Sequence, residues 1–409
     1  ISCILHVLLI SHPLYIKTHK SGKTDAYFMK NIIFLKYHKN LFVALDSLGI
    51  QQTIFVPLNV SNHDRIGNHL IDFQVSGSKI IYSIALKSYH KFLYQFKIST
   101  ILKAITSSIN IDEIDLIHAA TLCVNGAVAH ELNKRYKIPY ICAVRNTDME
   151  LYYKYFRWRI NYFFKIFKGA SQVIFICPQY QKKFIRERIP FVYKKNAEKK
   201  VVNIPNGIDP LFLNDRVFGC QNLSGAIHVI FASAFVKGKG LKEIILAIAM
   251  LRDKGYNIDI KAVGRGLPFR NENKRYLQEI ETIANQYDWV HLENYMNKRD
   301  LKMLFRESHI FVMPSKPETF GLVYVEALTQ NLPIVYAKGQ GFDGYFSEGY
   351  IGYHVEAFNV VDIANKIELI ITEYNDIVGR IARIDLKEQF SWGEIAQKYY
   401  NIYKSIVGK

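Results

Sequence analysis

The chain has 409 residues, of which 49% are hydrophobic and 22% charged, a composition typical of globular proteins that excludes a mainly disordered chain. Its length favours two domains of about 200 residues over a single domain. Residues 1–205 hold 29 Lys and Arg against 12 Asp and Glu, whereas residues 206–409 hold 24 of each, so the whole net charge of +17 lies in the first half. This asymmetry indicates two domains with different partners.

The cysteines and the apolar opening segment bear on the cellular compartment. The five cysteines are an odd number and form no C-x-x-C pair, which favours a reducing compartment over a disulfide or zinc framework. Residues 1–16 are apolar but lack a basic leading segment and a small-residue cleavage site, so they favour a buried strand over a signal peptide. No run of about 18 uncharged apolar residues occurs. We therefore expect a cytoplasmic protein.

Short apolar runs alternate with helical patterns along the chain. In the first half, the runs 6–11, 53–58, 116–120, 140–145 and 172–177 predict strands, and 26–48 and 126–137 predict helices. In the second half, strands are predicted at 228–234, 259–264, 290–295, 310–315 and 333–337, and helices at 241–254, 272–286, 299–307 and 321–330. Val- and Ile-rich strands that alternate with helices predict an α/β fold with two doubly wound, Rossmann-like parallel sheets in series.

The segment VVNIPNGIDP at 201–210 marks the junction between the halves. It contains two prolines and an Asn-Gly pair, which interrupt regular structure. It predicts a boundary between a first domain of residues 1–205 and a second domain of residues 206–385. In doubly wound sheets ligands bind at the carboxyl ends of the strands, so we expect the site in the cleft between the domains.

The segment SKPETFGLVYVEALTQNLPIV carries two carboxylates, Glu318 and Glu326, in otherwise apolar surroundings. It follows a predicted strand, and Gly321 opens a predicted helix. The first backbone N–H groups of this helix, at Phe320, Gly321 and Leu322, lack intrahelical partners and suit a phosphate. The carboxylates can accept hydrogen bonds from sugar hydroxyls. A nucleotide sugar, with a diphosphate between two sugars, fits this arrangement.

A structural alternative exists for the two glutamates: Glu318 caps the helix start, and Glu326 is a solvated helix residue. Other motifs argue against that alternative. The segment resembles the E-x7-E motif of the family-4 (group 1) retaining glycosyltransferases of the GT-B fold, as found in bacterial surface-polysaccharide assembly. Further resemblances to this family are IPNGID (204–209), KGLKEIILAI (239–248), AVGRGLP (262–268), IPYICAVRNTD (138–148) and FSWGEIAQKYYNIY (390–403).

The resemblance implies a GT-B fold in which a C-terminal helix, residues 386–409, returns to the first domain. It also implies roles for three side chains. Glu326 would hold the ribose hydroxyls of the nucleotide, and Glu318 would hold hydroxyls of the donor sugar. Lys239 would neutralise the diphosphate leaving group, a role that suits a compact ammonium. The alternative for Lys239 is a lysine on a solvated turn.

Other residues match the family less closely. By position in the family's motifs, Asn206, Gly207 and Gly264 are further candidates for donor binding. Family members commonly carry an Arg five residues before the conserved Lys, but this chain has Ala234 there. Lys237 is the candidate substitute for that arginine.

The acceptor side departs from the family pattern in the loop after the strand 140–145. Many members have a His in this loop, whereas here it reads Arg145-Asn146-Thr147-Asp148. We predict that Arg145 or Asp148 lines the reaction centre; the alternative is a mutual salt bridge that closes the loop. For His118 a core position with satisfied hydrogen bonds is the favoured interpretation over a cleft position. The family's N-terminal glycine-rich turn has one candidate, SGKTD at 21–25.

Retaining transfer in this family, as the resemblance implies, needs no nucleophile on the enzyme. The leaving diphosphate takes the proton of the acceptor hydroxyl, and the protein contributes positioning and electrostatics. No D-x-D motif of the metal-dependent kind is present, since DEID at 112–115 has another spacing. We therefore expect no metal and no cofactor besides the nucleotide-diphosphate sugar.

The basic first half suggests a partner. The stretches 86–105 and 152–169 mix Lys and Arg with aromatic residues, a pattern that fits an anionic membrane surface. The alternative is two ordinary helices that pack by their aromatic faces. Nucleic acid is not predicted, because no nucleic-acid-binding motif accompanies the charge. We expect a glycan or lipid-linked acceptor at the inner face of the cytoplasmic membrane.

Two other function classes compete with a glycosyltransferase. A nucleotide-sugar epimerase of GT-B architecture would need additional acids and histidines in the cleft, and the sequence offers no such set. A non-catalytic sugar-nucleotide-binding protein is suggested by Ala234 but opposed by Glu318, Glu326 and Lys239. The predicted reaction is transfer of a hexosyl or N-acetylhexosaminyl group; a UDP-linked donor is expected from family frequency.

Overall fold

A computed structural model of the chain describes residues 5–10, 39–60, 71–219, 223–266 and 274–408. Within these ranges no helix combines the length and the apolarity that crossing a lipid bilayer requires. The candidate glycine-rich turn at 21–25, residues 26–38 of the first predicted helix and residues 267–268 of the AVGRGLP turn lie outside the described residues.

The first half of the chain forms a parallel sheet. Its described strands are β1 (His6–Ile10), β2 (Gln51–Asn59), β3 (Lys79–Leu86), β4 (Leu116–Ala119), β5 (Tyr140–Val144), β6 (Gln172–Phe175) and β7 (Val201–Asn203). They pair in the order β3-β2-β1-β4-β5-β6-β7, every pair parallel. The central strands β1, β4 and β5 are buried throughout, as expected for strands covered on both faces.

Helices cover both faces of this sheet. They are α1 (39–47 in the described part), α2 (Tyr94–Ser108), α3 (Asn125–Tyr136), α4 (Tyr153–Tyr155), α5 (Ile160–Gly169), α6 (Pro178–Arg188) and α7 (Lys194–Lys200). Apolar residues of α2, α3, α5 and α6 share one hydrophobic cluster. Residues of α1 belong to a second cluster on the opposite face.

The second half repeats the architecture with a six-stranded parallel sheet. Its strands are β8 (Ile227–Ala232), β9 (Ile258–Arg265), β10 (Val290–Asn294), β11 (Ile310–Met313), β12 (Ile334–Ala337) and β13 (Gly352–Val355), in the order β10-β9-β8-β11-β12-β13. Its helices are α8 (Pro210–Leu213), α9 (Leu241–Asp253), α10 (Lys274–Ala284), α11 (Lys298–Arg306), α12 (Leu322–Thr329), α13 (Val360–Thr372) and α14 (Tyr374–Ala382).

The last two helices, α15 (Leu386–Phe390) and α16 (Trp392–Val407), return to the first domain. Helix α16 buries Ile395, Tyr399 and Tyr403 in the same cluster as Leu9 and Ile141 of the first sheet. Helix α16 therefore packs on the first domain, as the resemblance implies.

The prediction of two doubly wound parallel sheets is confirmed. All the predicted strands form, but the apolar runs do not predict β3, β7 or β13. The predicted boundary after residue 205 falls between β7 and β8, the last strand of one sheet and the first of the other.

Candidate active site

The E-x7-E segment begins where β11 ends and continues into α12. Gly321 precedes α12 with a φ of +79°, a left-handed conformation that glycine adopts without strain. A Cβ at this position would lie 2.3 Å from the ring of Tyr324. The Tyr324 hydroxyl donates to the Met313 carbonyl at 2.6 Å. The start of α12 is therefore fixed against the end of β11.

Glu318 and Lys239 form a buried ion pair beside this helix start. Lys239 Nζ lies 2.6 Å from Glu318 Oε2 and 2.9 Å from the Ser315 hydroxyl oxygen. The two side chains are only 9% and 13% exposed. Because isolated charges are costly to bury, each of these groups depends on the other.

The Glu318 carboxyl has its pKa below the ordinary value. Burial alone would raise this pKa, because it favours the neutral acid. Two effects together outweigh burial: the attraction of the Lys239 ammonium, and hydrogen bonds from Lys239, the Thr319 amide and the Ser315 hydroxyl. The carboxylate is therefore ionised at neutral pH and only accepts hydrogen bonds. This is the property that binding of sugar hydroxyls requires.

The turn that carries Lys239 packs directly on the loop after β11. The Lys316 N–H donates to the Gly238 carbonyl at 2.8 Å. Gly240 has a φ of +76°, and a Cβ there would lie 2.7 Å from Pro314. These close approaches hold the backbone beside Lys239 in one position.

Glu326 lies on α12, 7% exposed, and has a cationic partner. Lys298 Nζ, at the start of α11, is 3.1 Å from Glu326 Oε1 and 3.2 Å from Asp209 Oδ2. Asp209 also caps α8 by accepting a hydrogen bond from the Leu211 N–H. Among the described residues no donor lies within hydrogen-bond distance of Glu326 Oε2, so that oxygen is available to a ligand.

Ala234, at the position where family members commonly carry an arginine, is buried. Ala234 is 1% exposed. Gly264 passes over this turn: its φ is +133°, and a Cβ there would lie 2.0 Å from the Ser233 carbonyl oxygen. Lys237 is exposed and within electrostatic reach of Glu243. Its role in place of the arginine, and contact of Gly264 with the donor, stay predictions.

Asp148 is fully buried and begins a short π-helical turn, Asp148–Tyr152, shortly after β5. Its carboxylate accepts hydrogen bonds from the N–H groups of Arg145 and Cys123, both at 2.8 Å, and of Leu122 at 3.3 Å. Burial raises the pKa of this carboxyl, and the three amides oppose the rise. The geometry favours a positioning role for Asp148; its contact with a reacting sugar stays a prediction.

The Arg145 side chain has partners other than Asp148. Its guanidinium donates to the Ala120 carbonyl and to Asn206 Oδ1, each at 3.4 Å. The alternative of a mutual Arg145–Asp148 salt bridge is therefore wrong, because Asp148 binds the Arg145 backbone amide and no ion pair joins the two described side chains. Arg145 instead connects the first domain to the inter-domain segment through Asn206.

His118 is a core residue, so its favoured interpretation is confirmed. It is 4% exposed, its Nδ1 lies 2.7 Å from the Tyr403 hydroxyl, and its ring stacks on Tyr399 at 5.1 Å. Burial lowers the pKa of this imidazole to about 3. The ring is therefore neutral at physiological pH and supports helix α16.

Two predicted donor-site residues have packing roles in the structure. A Cβ at Gly207 would lie 2.5 Å from the Trp392 ring. Phe320 is 2% exposed and packs against Tyr345 with ring centroids 5.5 Å apart. Donor contacts by the backbones of Gly207, Phe320 and Leu322 stay predictions.

The first domain touches the loop that carries Glu318. The Tyr180 hydroxyl donates to the Glu318 carbonyl at 2.9 Å, and Gln179 Nε2 donates to Asp343 Oδ2 at 3.1 Å. Tyr180 and Gln179 begin α6, directly after the carboxyl end of β6. The two domains therefore meet at the strand ends where ligands bind in doubly wound sheets.

Sequence reasoning does not identify three residues of this site: Ser315, Lys298 and Tyr180. Ser315 has a local signal, since it stands between a predicted strand and Glu318. Lys298 stands in a charged helix and Tyr180 among polar residues. Neither has a neighbouring motif that predicts its contact across the fold.

Sequence comparison finds one matching family for each domain. Residues 36–211 match Glycosyltransferase Family 4, and residues 221–385 match Glycosyl transferases group 1. The second match contains Lys239, Glu318 and Glu326.

Similar proteins include an uncharacterized glycosyltransferase of Methanocaldococcus jannaschii, 25% identical over 297 residues, which cover 72% of this chain and 76% of that protein. The capsular polysaccharide biosynthesis glycosyltransferase CapM of Staphylococcus aureus is 25% identical over 191 residues. This second match covers 44% of this chain and 47% of CapM, so it spans about half of that protein.

Solved structures with the same fold cover nearly the whole chain. The sucrose-phosphate synthase of Thermosynechococcus elongatus has a TM-score of 0.69 at 18% identity and covers 99% of both chains. Anabaena HepE in complex with UDP has a TM-score of 0.66 at 16% identity and covers 98% of this chain and 100% of its own. At these identities the likeness establishes the fold, and the predicted GT-B architecture is confirmed.

Proposed function

The chain belongs to the group 1, family 4 glycosyltransferases, and we propose that it moves a hexosyl or N-acetylhexosaminyl group, with retention of configuration, from a UDP-linked sugar to a hydroxyl of a glycan or lipid-linked acceptor. The observation that carries the proposal is the buried Lys239–Glu318 pair beside the amides that open α12. An ammonium, amide donors and an ionised carboxylate match a diphosphate with an attached sugar. The HepE complex with UDP supports the choice of nucleotide.

In the proposed reaction the bond between the anomeric carbon and the diphosphate oxygen breaks. A bond from the acceptor oxygen to the same carbon forms on the same face of the sugar, and the acceptor proton passes to the departing diphosphate. Lys239 stabilises the negative charge that grows on this leaving group. Glu318 orients the sugar and Glu326 the ribose, which contributes to catalysis by positioning.

The proposed biological role is assembly of bacterial surface polysaccharide or lipopolysaccharide at the inner face of the cytoplasmic membrane. The role in surface polysaccharide assembly is supported by the similarity to CapM, whose name concerns capsular polysaccharide biosynthesis. The location at the membrane is supported by the positive charge of residues 1–205. No observation at the site favours the epimerase or the non-catalytic binding protein.

A thermal-shift comparison of UDP-, GDP- and ADP-sugars tests the donor site. We expect a UDP-sugar at saturating concentration to raise the melting temperature on the order of 5 °C, because it binds only the folded protein. Glu326→Ala should remove most of this shift, whereas the control Glu307→Ala, at an exposed residue of the same domain, should keep it. A shift that survives Glu326→Ala would refute the ribose role, and no shift with any nucleotide sugar would refute the donor proposal.

Metal independence is part of the same proposal. Release of UDP from the donor should proceed at the same rate with and without EDTA. Activity that EDTA abolishes and Mg²⁺ or Mn²⁺ restores would contradict it.

A further inference from the structure

Four apolar side chains project from one place on the first domain. Phe92 is 82% exposed, Trp158 74%, Phe96 54% and Leu93 53%. We refer to these four residues as the aromatic ridge. Large apolar groups that are clustered and left in water mark interaction surfaces.

The ridge residues come from two segments that pack against each other beneath the ridge. The Trp158 ring packs on Phe156 with centroids 5.5 Å apart, and Phe156 packs on Tyr94 at 6.2 Å. The Arg159 guanidinium lies 4.6 Å from the Tyr94 ring centroid, and its Nη1 is 3.5 Å from Gln95 Oε1. The segment before α5 is therefore joined to the start of α2.

The residues beneath the ridge are buried in the core of the first domain. Tyr94 is 3% exposed, and its hydroxyl donates to the Cys123 carbonyl. Helices α2 and α5 bury their apolar faces in the domain core, with Ile98 and Phe163 among the buried residues. Beyond Phe96 in the first turn of α2, the bodies of these helices follow the alternative of ordinary packed helices. The ridge is what the two segments leave exposed.

The two stretches that carry the ridge are basic. The stretches 86–105 and 152–169 contain nine Lys and Arg and no Asp or Glu. Lys87, Lys154 and Arg157 of these stretches are exposed. Aromatic rings set among cations match the headgroup region of an anionic bilayer, where rings lie at the interface and cations meet lipid phosphates.

The ridge lies on the same side of the domain as the candidate active site. Strands β3 and β5 are parallel members of one sheet, so their carboxyl ends, Leu86 and Val144, share an edge. The segments that carry the ridge follow these two ends. Arg145 and Asp148 follow Val144 directly.

We propose that the aromatic ridge docks on an anionic lipid bilayer and so brings the acceptor side of the cleft to a lipid-linked acceptor. This inference rests on the proposed function for the nature of the acceptor. The docking itself depends only on the ridge and the positive charge of the two stretches that carry it.

Co-sedimentation with vesicles tests the docking. The test variant is Phe92→Ser/Phe96→Ser/Trp158→Ser. The matched control is Phe218→Ser/Tyr295→Ser, which removes rings that are 60% and 46% exposed on the second domain. On vesicles of phosphatidylcholine and phosphatidylglycerol at low salt, the wild type and the control should bind equally. The ridge variant should bind on the order of tenfold more weakly, since its rings no longer enter the interface.

Tryptophan fluorescence gives a second readout. Trp158 is 74% exposed and Trp289 8%, so vesicle binding should shift the Trp158 emission to shorter wavelength. This shift should be absent in Trp158→Phe, which keeps an apolar ring and should still sediment with the vesicles.

Several outcomes would overturn the proposal. The first is that the ridge variant and the wild type bind the anionic vesicles equally. The second is that the wild type binds pure phosphatidylcholine vesicles as well as it binds the anionic vesicles. The third is that only Phe191→Ser/Val192→Ser, at an exposed pair on another turn, loses vesicle binding. The thermal shift with a UDP-sugar should be the same in the ridge variant and the wild type, which shows that the variant folds. If a UDP-sugar raises the melting temperature of the wild type but the wild type does not sediment with vesicles, only the docking proposal is refuted. If the wild type sediments with vesicles but no nucleotide sugar raises its melting temperature, only the donor proposal is refuted.

Discussion

Lys298 connects three elements through one ammonium. Its Nζ lies within 3.2 Å of carboxylate oxygens of both Glu326 and Asp209, so it joins the start of α11 to α12 and to the inter-domain segment. The Glu326 side chain is only 10% exposed, and a buried charge depends on an opposite charge beside it. We therefore assign Lys298 a positioning role: it holds the Glu326 carboxylate through Oε1 and leaves Oε2 to the ligand.

Lys298→Met should weaken binding of UDP on the order of tenfold, because hydrogen bonds to a charged acceptor contribute about 1.5–3 kcal/mol. The loss should disappear for dideoxy-UDP, which lacks both ribose hydroxyls, as measured by isothermal titration calorimetry. Arg299→Met, at the next and exposed position of the same helix, is the control and should bind UDP normally. An equal loss for UDP and dideoxy-UDP would indicate a general structural effect and contradict the positioning role.

The residues that the sequence predicts correctly owe this to local spacing. Glu318 follows a strand end closely, so the strand pattern alone predicts its place at the carboxyl edge. The contact between Lys298 and Glu326 joins positions 28 residues apart. No spacing rule predicts that a lysine at the start of α11 contacts a residue of α12. The alternative interpretation of Asp148, a salt bridge to Arg145, is wrong for another reason: sequence does not tell whether a carboxylate pairs with a side chain or with backbone amides.

Among the secondary-structure elements, prediction succeeds where a strand is buried on both faces. β1 and β11 are continuous apolar runs and are buried throughout. β3 lies at the sheet edge and is mostly half-exposed, and it includes Lys79 and Ser83, so no apolar run reveals it. β13 is an edge strand of four residues. Edge strands need fewer apolar residues, so their pattern is often weaker. The edge strand β10, which keeps Val290 and Leu292, is predicted nevertheless.

The contact between the inter-domain segment and α16 explains why residue 207 is a glycine. Gly207→Ala would place a Cβ 2.5 Å from the Trp392 ring, and overpacking of this kind costs about 1–3 kcal/mol. We expect a lower melting temperature in calorimetry. The loss should disappear when Trp392→Ala is added, because the obstructing ring is then absent.

The control for this test is Gly393→Ala. Its Cβ would meet no atom within 4 Å, and its position on α16 favours alanine over glycine. This variant should melt at the wild-type temperature or above. A Gly207→Ala protein with unchanged melting temperature and weakened UDP binding would instead support the predicted role of Gly207 in the donor site.

For the molecule as a whole, the charge asymmetry corresponds to the division of the fold. The second domain, residues 206–385, holds 20 basic and 22 acidic residues and contains the Lys239–Glu318 pair and Glu326. The first domain contains the excess positive charge and the aromatic ridge. The sequence predicts this asymmetry and two stretches that contribute to it. The ridge itself depends on which aromatic rings α2 and α5 bury, and that is decided by tertiary packing.

The contact between strand β4 and helix α16 should be sensitive to acid. His118 on β4 pairs with Tyr403 on α16, and burial lowers the pKa of this histidine to about 3 from an ordinary value of 6.5. Below pH 6.5 the unfolded chain takes up a proton at this residue, whereas the folded protein does not until about pH 3. The contribution of His118 to stability therefore falls as the pH falls through this window.

Urea unfolding at pH 7 and pH 5 measures this effect. The wild type should lose about 2 kcal/mol more than His118→Phe between these two pH values, because only the wild type carries the shifted group. Tyr403→Phe is the matched control: it removes the hydrogen bond but keeps a buried histidine, so it should be less stable at both pH values and retain the acid sensitivity. If His118→Phe is as acid-sensitive as the wild type, the pH dependence arises elsewhere in the molecule and His118 does not control the docking of α16.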